Sequence, residues 1–502
     1  DMELLTTILQ VLYVASALGL AIVGFNSLLL SLLYLRKRKA EPPTPPTPDE
    51  ADLPPVLVQL PIFNERHVVE RLIETVARLD YPRDRLTVQV LDDSTDDTVA
   101  IAAAAVEAAR SAGLQIEHVR RGTREGYKAG ALAYGLEQND APLVAIFDAD
   151  FTPPPGFLRE VVPYFLTDDR LGLVQTRWAH LNEQQNLLTR GQALALDAHF
   201  IVEQTARHRN GLFMNFSGTA GVWRRACIED SGGWHHDTLS EDIDLSYRAQ
   251  LRGWRFLYLP GVGVPAEIPP LMMGLKRQQS RWATGTVQCL RKMGGTLIRS
   301  HLTPWQKIEA LLHLGGYFLH PLMLIVLLLT LPLLLLGGLN NLPLAGLGLA
   351  MLGSPVQVTI SQRALHRDNW ARRLLVFPAL LLGGMGIAVS NTAAVLRGLS
   401  GRAQPFERTP KFQARGADRG WAASSYALLS DLTTTLEVLM ALYAAATAAV
   451  ALTRLPAVVP FMVLYALAFL HVAGVSAWQS RAARRVQRRQ RQQFRLSGSE
   501  GR

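Results

Sequence analysis

Six stretches of this chain, 4–35, 313–337, 343–361, 374–396, 428–452 and 456–478, are nearly free of charge. They restrict the fold more than any other feature, because about 20 apolar helical residues cross the hydrocarbon core of a bilayer. Residues 41–312, between the first stretch and the second, have the mixed polarity of an ordinary globular α/β chain. With 502 residues there is room for one such domain plus a set of membrane helices. The formal charge of +9 sits largely in Arg36-Lys37-Arg38-Lys39 and in the tail from Arg481 to Arg495. Both blocks flank apolar runs, so a positive-inside membrane topology explains them better than a nucleic-acid partner does. Two cysteines, Cys227 and Cys289, supply neither a disulfide framework nor metal spacing, and twelve histidines show no paired zinc pattern.

The first apolar run is too long for a signal peptide and its cations follow it, which reads as a retained anchor with its N-terminus outside. A stiff proline spacer, Glu41-Pro42-Pro43-Thr44-Pro45-Pro46-Thr47-Pro48, comes next. Strands and helices then alternate. Strands are expected at Val56–Pro61, Leu86–Leu91, Ile116–Val119 and Leu143–Phe147, with helices over about Glu65–Leu79, from Asp96-Asp97 to Ala112, and over Lys128–Leu136. That order implies a mostly parallel sheet, in which ligands bind beyond the carboxyl ends of the strands. Asp92-Asp93 and Asp148-Ala149-Asp150 both fall there.

For the membrane part, charge parity favours five spans. Segments 313–337 and 343–361 form a hairpin, while 374–399 lies along the cytosolic interface because a crossing there would leave the arginine-rich tail outside. The rival topology has 374–396 crossing and 343–361 not.

Several groups carry candidate chemistry. Asp148 and Asp150, one residue apart at a strand end, can hold Mg²⁺ or Mn²⁺, an ion that needs few protein ligands when a diphosphate supplies the rest. Asp93 can accept a hydrogen bond from a nucleobase and Asp92 can orient the loop, although Asp93–Asp96 also reads as the cap of the next helix, chiefly through Asp96. Glu241 and Asp242 open the helix Ile243–Leu251, preceded by the backbone-rich Phe216-Ser217-Gly218-Thr219-Ala220-Gly221. One carboxylate suffices to take a proton from an acceptor hydroxyl, and Asp242 is the expected base. Acids in a first helical turn more commonly just complement the helix dipole. Gln278-x-x-Arg281-Trp282 sets an amide, a diphosphate-neutralising guanidinium and a sugar-stacking indole on a basic helix. A tryptophan near a bilayer is otherwise an interfacial anchor, which fits Trp305 better than Trp282. Phe406-Glu407-Arg408-Thr409-Pro410-Lys411 offers a hydroxyl and cations on a loop able to close over a diphosphate.

As an ordered set, Asp92-Asp93, Asp148-x-Asp150, Glu241-Asp242 and Gln278-x-x-Arg281-Trp282 resemble the signature of membrane-integrated family 2 glycosyltransferases, the cellulose, chitin and hyaluronan synthase group. The runs Gln89–Thr95, Tyr127–Leu132, Phe147–Phe151 and Gly218–Arg224 are similar to plant cellulose-synthase-like A and C proteins, makers of β-1,4-mannan or glucomannan and of β-1,4-glucan, and to their bacterial relatives. The likeness spans roughly 55–300, and beyond that it extends only to the layout of the membrane segments.

The resemblance implies a Rossmann-like α/β GT-A domain in the cytosol, joined to an α-helical transmembrane bundle with interfacial helices. It also implies inverting transfer from UDP-glucose or GDP-mannose. Catalysis falls to Asp242 with Glu241. Donor binding falls to Pro61, Glu65, Asp92, Asp93, Lys128, Asp148, Gln278, Arg281, Thr409 and Lys411, and acceptor binding to Trp282, Phe216, Gly218 and Thr219. Metal binding falls to Asp148 and Asp150. Phe406-x-x-Thr409-x-Lys411 resembles the gating loop of cellulose synthase, with Arg408 where that family has valine.

The expected organisation is an anchor (1–40), a linker (41–55), the transferase domain (56–265), interfacial helices (266–312) and a transmembrane hairpin (313–361). An interfacial helix with the gating-type loop (362–427), a second hairpin (428–480) and a basic tail (481–502) complete it. The partners are a nucleotide sugar, a growing β-linked glycan and membrane lipids, in the plasma (inner) membrane. The alternative activity is transfer of one sugar to a lipid, in the manner of ceramide glucosyltransferase. A third reading, a membrane scaffold with a degenerate transferase domain, sits poorly with the intact acids.

Overall fold

The computed structural model describes all residues except 1, 41, 43, 46, 341, 343–344, 402–431 and 498–502. At its centre is a seven-stranded sheet in the order β3-β2-β1-β4-β6-β5-β7. The strands are β1 (Val56–Ile62), β2 (Leu86–Asp92), β3 (Gln115–Val119), β4 (Leu143–Ile146), β5 (Leu171–His180), β6 (Gly221–Arg224) and β7 (Arg255–Ala266). Every residue of β1 and β4 is buried. Near-continuous apolar strands of this kind belong in a sheet covered on both faces.

β6 alone runs antiparallel to its neighbours; the other pairings are parallel. The six parallel strands therefore end on one edge, at Ile62, Asp92, Val119, Ile146, His180 and Ala266. The loop 216–220 enters antiparallel β6 at that same edge. This topology brings residues far apart in sequence to one rim.

Helix boundaries differ modestly from those expected. The first helix of the domain is Val69–Ala77, and the next is Thr98–Ser111. Asp96 accepts a hydrogen bond from the Thr98 amide at 3.0 Å, so the chain turns there through its side chain.

The Met272–Arg299 helix joins this domain to the apolar helices. A Cβ on Gly285 would stand 2.2 Å from Ser240 Oγ, so glycine lets this helix lie against the entry to the Glu241–Leu251 helix. On its other side, Lys276 Nζ meets Glu437 Oε2 at 2.7 Å, both side chains buried. Met272 N donates to Gln479 Oε1 (2.8 Å), and Thr284 Oγ1 to Ala394 O (3.1 Å).

Four of the described helices are long and apolar enough to cross a membrane: Met2–Lys37, Gly316–Leu335, Leu432–Arg454 and Pro456–Arg485. The pair Trp370–Gly386 and Ala388–Ser400 meets the same test together, bent by 45°. Residues 374–396 are thus two helices rather than one. Within 343–361, expected as the return arm of a hairpin, the described residues 345–361 do not form one long helix. Ala345–Leu352 is a 3-10 stretch, followed by the Gly353–Leu365 helix. That helix carries polar groups toward the transferase domain, where Gln362 Nε2 donates to buried Asp197 at 2.8 Å. Val358 joins Leu194, Ala198 and Val376 in a small apolar cluster.

Candidate active site

A solvent-open cleft with about 1340 Å³ of empty space lies along the carboxyl edge of the sheet. Of the residues expected from sequence to bind or react, Pro61, Glu65, Asp93, Lys128, Asp148, Asp150, Gly218, Glu241, Asp242, Gln278, Arg281 and Trp282 line it. Asp242 and Trp282 therefore face one cavity.

Three of the others stand behind its wall. Asp92 is buried, accepting from Ser94 N (2.8 Å) and pairing with His118 Nε2 (2.8 Å). Burial opposes its charge, but these partners outweigh it and hold its pKa below the ordinary carboxylate value. Phe216 packs edge-on against Trp223, with ring centroids 5.5 Å apart. Thr219 is buried and its Oγ1 accepts from Asp148 N at 2.9 Å. Asp92 thus orients its loop, as its sequence position also allows, while Thr219 braces Asp148 and the Phe216 ring packs in the core rather than meeting a ligand directly. Thr409 and Lys411 lie outside the described residues.

Lys128 is the hub of the site. Its Nζ donates to Asp148 Oδ1 and to Gly218 O, both at 2.7 Å, and lies 3.7 Å from Glu241 Oε1. Burial works against the ammonium, yet Asp148, Glu241 and Asp242 more than compensate and raise its pKa. One lysine thus ties the end of β4, the loop before β6 and the start of the Glu241–Leu251 helix together.

Asp242 accepts from Ile243 N at 2.8 Å. Burial and the negative charge of Glu241 push its pKa up to about 7, against the pull of Lys128, the Ile243 amide and Arg281. A carboxylate with that pKa is a better proton acceptor near neutrality than an ordinary aspartate. The loop opposite is held by its backbone. Ser246 Oγ donates to Asp242 O (2.6 Å) and accepts from Phe216 N (2.8 Å), while Ser217 N donates to Gln175 Oε1 (3.0 Å). Gly218 has φ +81°, and a Cβ there would stand 3.1 Å from Asp242 Oδ2. Glycine suits both the left-handed backbone and the close carboxylate.

Sequence reading missed three groups. Arg121 grips Asp93 with two bonds, Nε to Oδ1 at 2.8 Å and Nη2 to Oδ2 at 2.6 Å. A nucleobase reaching Asp93 would share it with this guanidinium. Arg124 lies 3.4 Å from the ring centroid of Phe63, and both line the cleft. Trp178 connects Trp282 to Phe151, at centroid separations of 6.4 and 5.2 Å, and so extends the aromatic wall. The two arginines had one available signal, since they follow β3 at the same edge as the aspartates. Trp178 had none.

Among the described residues, acids dominate the lining: Glu65, Asp93, Asp148, Asp150, Glu241, Asp242 and Glu267 stand against Arg124, Lys128 and Arg281. Arg121 pairs with Asp93, and Arg71 with Glu267 at 2.8 Å. A cleft of that sign suits a divalent cation and a diphosphate bound together better than a diphosphate alone. Among the described residues, the one group of three potential metal ligands is elsewhere, at His235, Asp237 and Asp244. The Lys292 ammonium already fills that group, 2.7 Å from Asp237 and 2.8 Å from Asp244.

Comparison with known proteins agrees with this geometry. Residues 54–285 match the family described as Glycosyltransferase like family 2. Glucomannan 4-beta-mannosyltransferase 2 of Arabidopsis thaliana is 44% identical over 264 residues, 51% of this chain and 49% of that protein. Glucomannan 4-beta-mannosyltransferase 1 of Oryza sativa subsp. japonica is 42% identical over 278 residues, 53% of each. The chain thus spans about half the length of the curated relatives it matches. Among solved structures, a Pyrobaculum calidifontis mannosyltransferase in complex with GDP-Man and Mn2+ aligns with a TM-score of 0.53 at 23% identity. The alignment covers 77% of this chain and 99% of that one. Its sequence is distant enough that it supports the fold alone. The sheet order, the acid-lined carboxyl edge and the family match agree: residues 54–285 of this chain are a family 2 glycosyltransferase domain.

Proposed function

We propose that this protein is a membrane-integrated, inverting β-1,4-mannosyltransferase that extends a polysaccharide from GDP-mannose and passes it through its own helices. The observation that carries the reading is the cleft itself, where Asp242, Lys128, Asp148, Arg281 and Trp282 line one cavity. The choice of sugar draws on the curated relatives, which bear the name glucomannan 4-beta-mannosyltransferase.

In this reading the Asp242 carboxylate takes the proton of the acceptor hydroxyl as that oxygen attacks the anomeric carbon, and the nucleotide leaves on the opposite face. Lys128 holds Asp148 and the Gly218 carbonyl in place, and Arg281 meets the departing diphosphate. Trp282 and Trp178 receive the sugar face of the acceptor. Asp148 and Asp150 would hold Mg²⁺ or Mn²⁺, which when bound neutralises the diphosphate. The catalytic domain faces the cytosol. The basic end of the Met2–Lys37 helix touches it, with Lys37 Nζ donating to Arg209 O and Arg209 Nη1 to Lys37 O, both at 2.8 Å. Cations at that end fit the inner side of a plasma membrane.

The test is a donor screen on the purified full chain with labelled GDP-mannose and UDP-glucose. Label from GDP-mannose should enter ethanol-insoluble material that an endo-β-1,4-mannanase digests. Label from UDP-glucose alone would overturn the sugar assignment. Label in a solvent-extractable product would make the enzyme a lipid glycosylator instead.

A further inference from the structure

A second cavity, with about 710 Å³ of empty space, lies apart from the cleft and shares none of its residues. It is bounded by the 183–194 segment and by residues 369–376, where the bent helix pair begins. Among the described residues, three guanidiniums line it, Arg190, Arg372 and Arg373, with Glu183 the only acid.

These arginines are not equivalent. Arg373 is committed: its Nη2 meets Glu183 Oε1 at 2.5 Å and lies 3.7 Å from Asp197, and its Nε donates to Gln362. That pairing neutralises Glu183. Among the described residues, the Arg190 and Arg372 side chains make no hydrogen bond or ion pair, so the cavity carries two uncompensated positive charges. Its floor includes Leu194 and Val376. In the chain, its lining is flanked by exposed Leu181, Leu187 and Leu375, the last 78% exposed.

Paired cations beside exposed leucines, at the start of an apolar helix pair, match the two halves of a phospholipid. We infer that this cavity binds a phosphate group, with Arg190 and Arg372 as its ligands, and that the phosphate belongs to the headgroup of an anionic membrane lipid whose chains lie against Leu187 and Leu375. The site does not depend on which sugar the transferase uses.

The experiment uses the full chain in detergent and three probes: a short-chain phosphatidic acid, the matching phosphatidylcholine and inorganic phosphate. The readouts are a shift of the thermal midpoint and competition for a fluorescent phosphatidic acid. Phosphatidic acid should bind and phosphatidylcholine should not. The pair Arg190→Gln/Arg372→Gln should weaken phosphatidic acid by at least about tenfold, given roughly 1 kcal/mol per basic group near an anionic surface. Arg190→Lys/Arg372→Lys keeps the charge and should bind, and it shows that the loss is not misfolding. Inorganic phosphate competing as well as the lipid would assign the same two arginines to free phosphate. Equal phosphatidic acid affinity in the wild type and the glutamine pair would overturn the site.

Discussion

Lys128 Nζ stands 2.7 Å from Asp148 Oδ1, an ion pair that locks the end of β4 to the helix beginning at Tyr127. The same ammonium also reaches Gly218 O and Glu241, so one side chain sets the spacing of three loops. Replacing it with methionine takes the ammonium from between Asp148, Glu241 and Asp242. We expect Lys128→Met to lower kcat by at least about 100-fold, in line with the loss of one preorganised electrostatic group. Because Lys128 pulls the Asp242 pKa downward, the acid limb of the pH profile should also move to higher pH. A variant with a slower rate but an unshifted limb would contradict that coupling.

The ionisation of Asp242 itself should be visible in the wild type. Its pKa is raised to about 7 by burial and by Glu241. The base proposed here works only when deprotonated, so kcat/KM should climb with pH and level off above about 7. The stability effect has the opposite sign. A carboxyl whose folded pKa lies above its unfolded value, roughly 4, stabilises the fold at low pH and loses that contribution as pH rises to about 7. Thermal midpoints from pH 5 to 8 should therefore fall more steeply for the wild type than for Asp242→Asn.

Trp178 is the clearest test of the aromatic wall. It bridges Trp282 and Phe151, and no motif marks it. We expect Trp178→Ala to raise the acceptor KM about tenfold, on the scale of a lost aromatic contact, with a smaller change in the KM for donor. A rise confined to the donor would move Trp178 to the nucleotide end of the cleft.

The Lys276–Glu437 pair links the helix that carries Arg281 and Trp282 to an apolar helix of the bundle. Removing one member leaves a buried charge, which typically costs about 3–5 kcal/mol. Lys276→Met should therefore lower the thermal midpoint sharply in detergent, and Lys276→Met/Glu437→Leu should recover most of the loss. Failure of the double variant to recover would mean that the loss does not come from the buried charge of Glu437.

Much of this was legible in the residues alone. The strands and the acids at their ends could be read because buried parallel strands write continuous apolar runs, and a parallel sheet sends all its carboxyl ends to one rim. That rule places Asp93, Asp148 and Asp150 on the rim, where they line the cleft, while Lys128 and Asp242 lie at helix starts and entered through the motif resemblance. The Arg121–Asp93 pair and the Trp178 wall did not, because both are contacts across 27 or more positions that no local period encodes. Asp92, Phe216 and Thr219 belong to ligand-bearing motifs, but sequence cannot say which face of a loop a side chain takes. Residues 343–361 looked like a membrane arm because they lack charge. Yet polar Gln362, just beyond them, is drawn to Asp197 of the transferase domain, and the apolar positions Val358 and Leu194 pack together there.

The most direct test is transfer by Asp242→Asn set beside its affinity for GDP-mannose. The substitution keeps the size and removes the basic oxygen, leaving Lys128, Arg281 and the aromatic wall in place. We expect polymer formation to vanish while GDP-mannose still binds within a few-fold of wild-type affinity. Near-normal turnover in this variant would contradict Asp242 as the base and, with it, the single site around which these loops and helices converge.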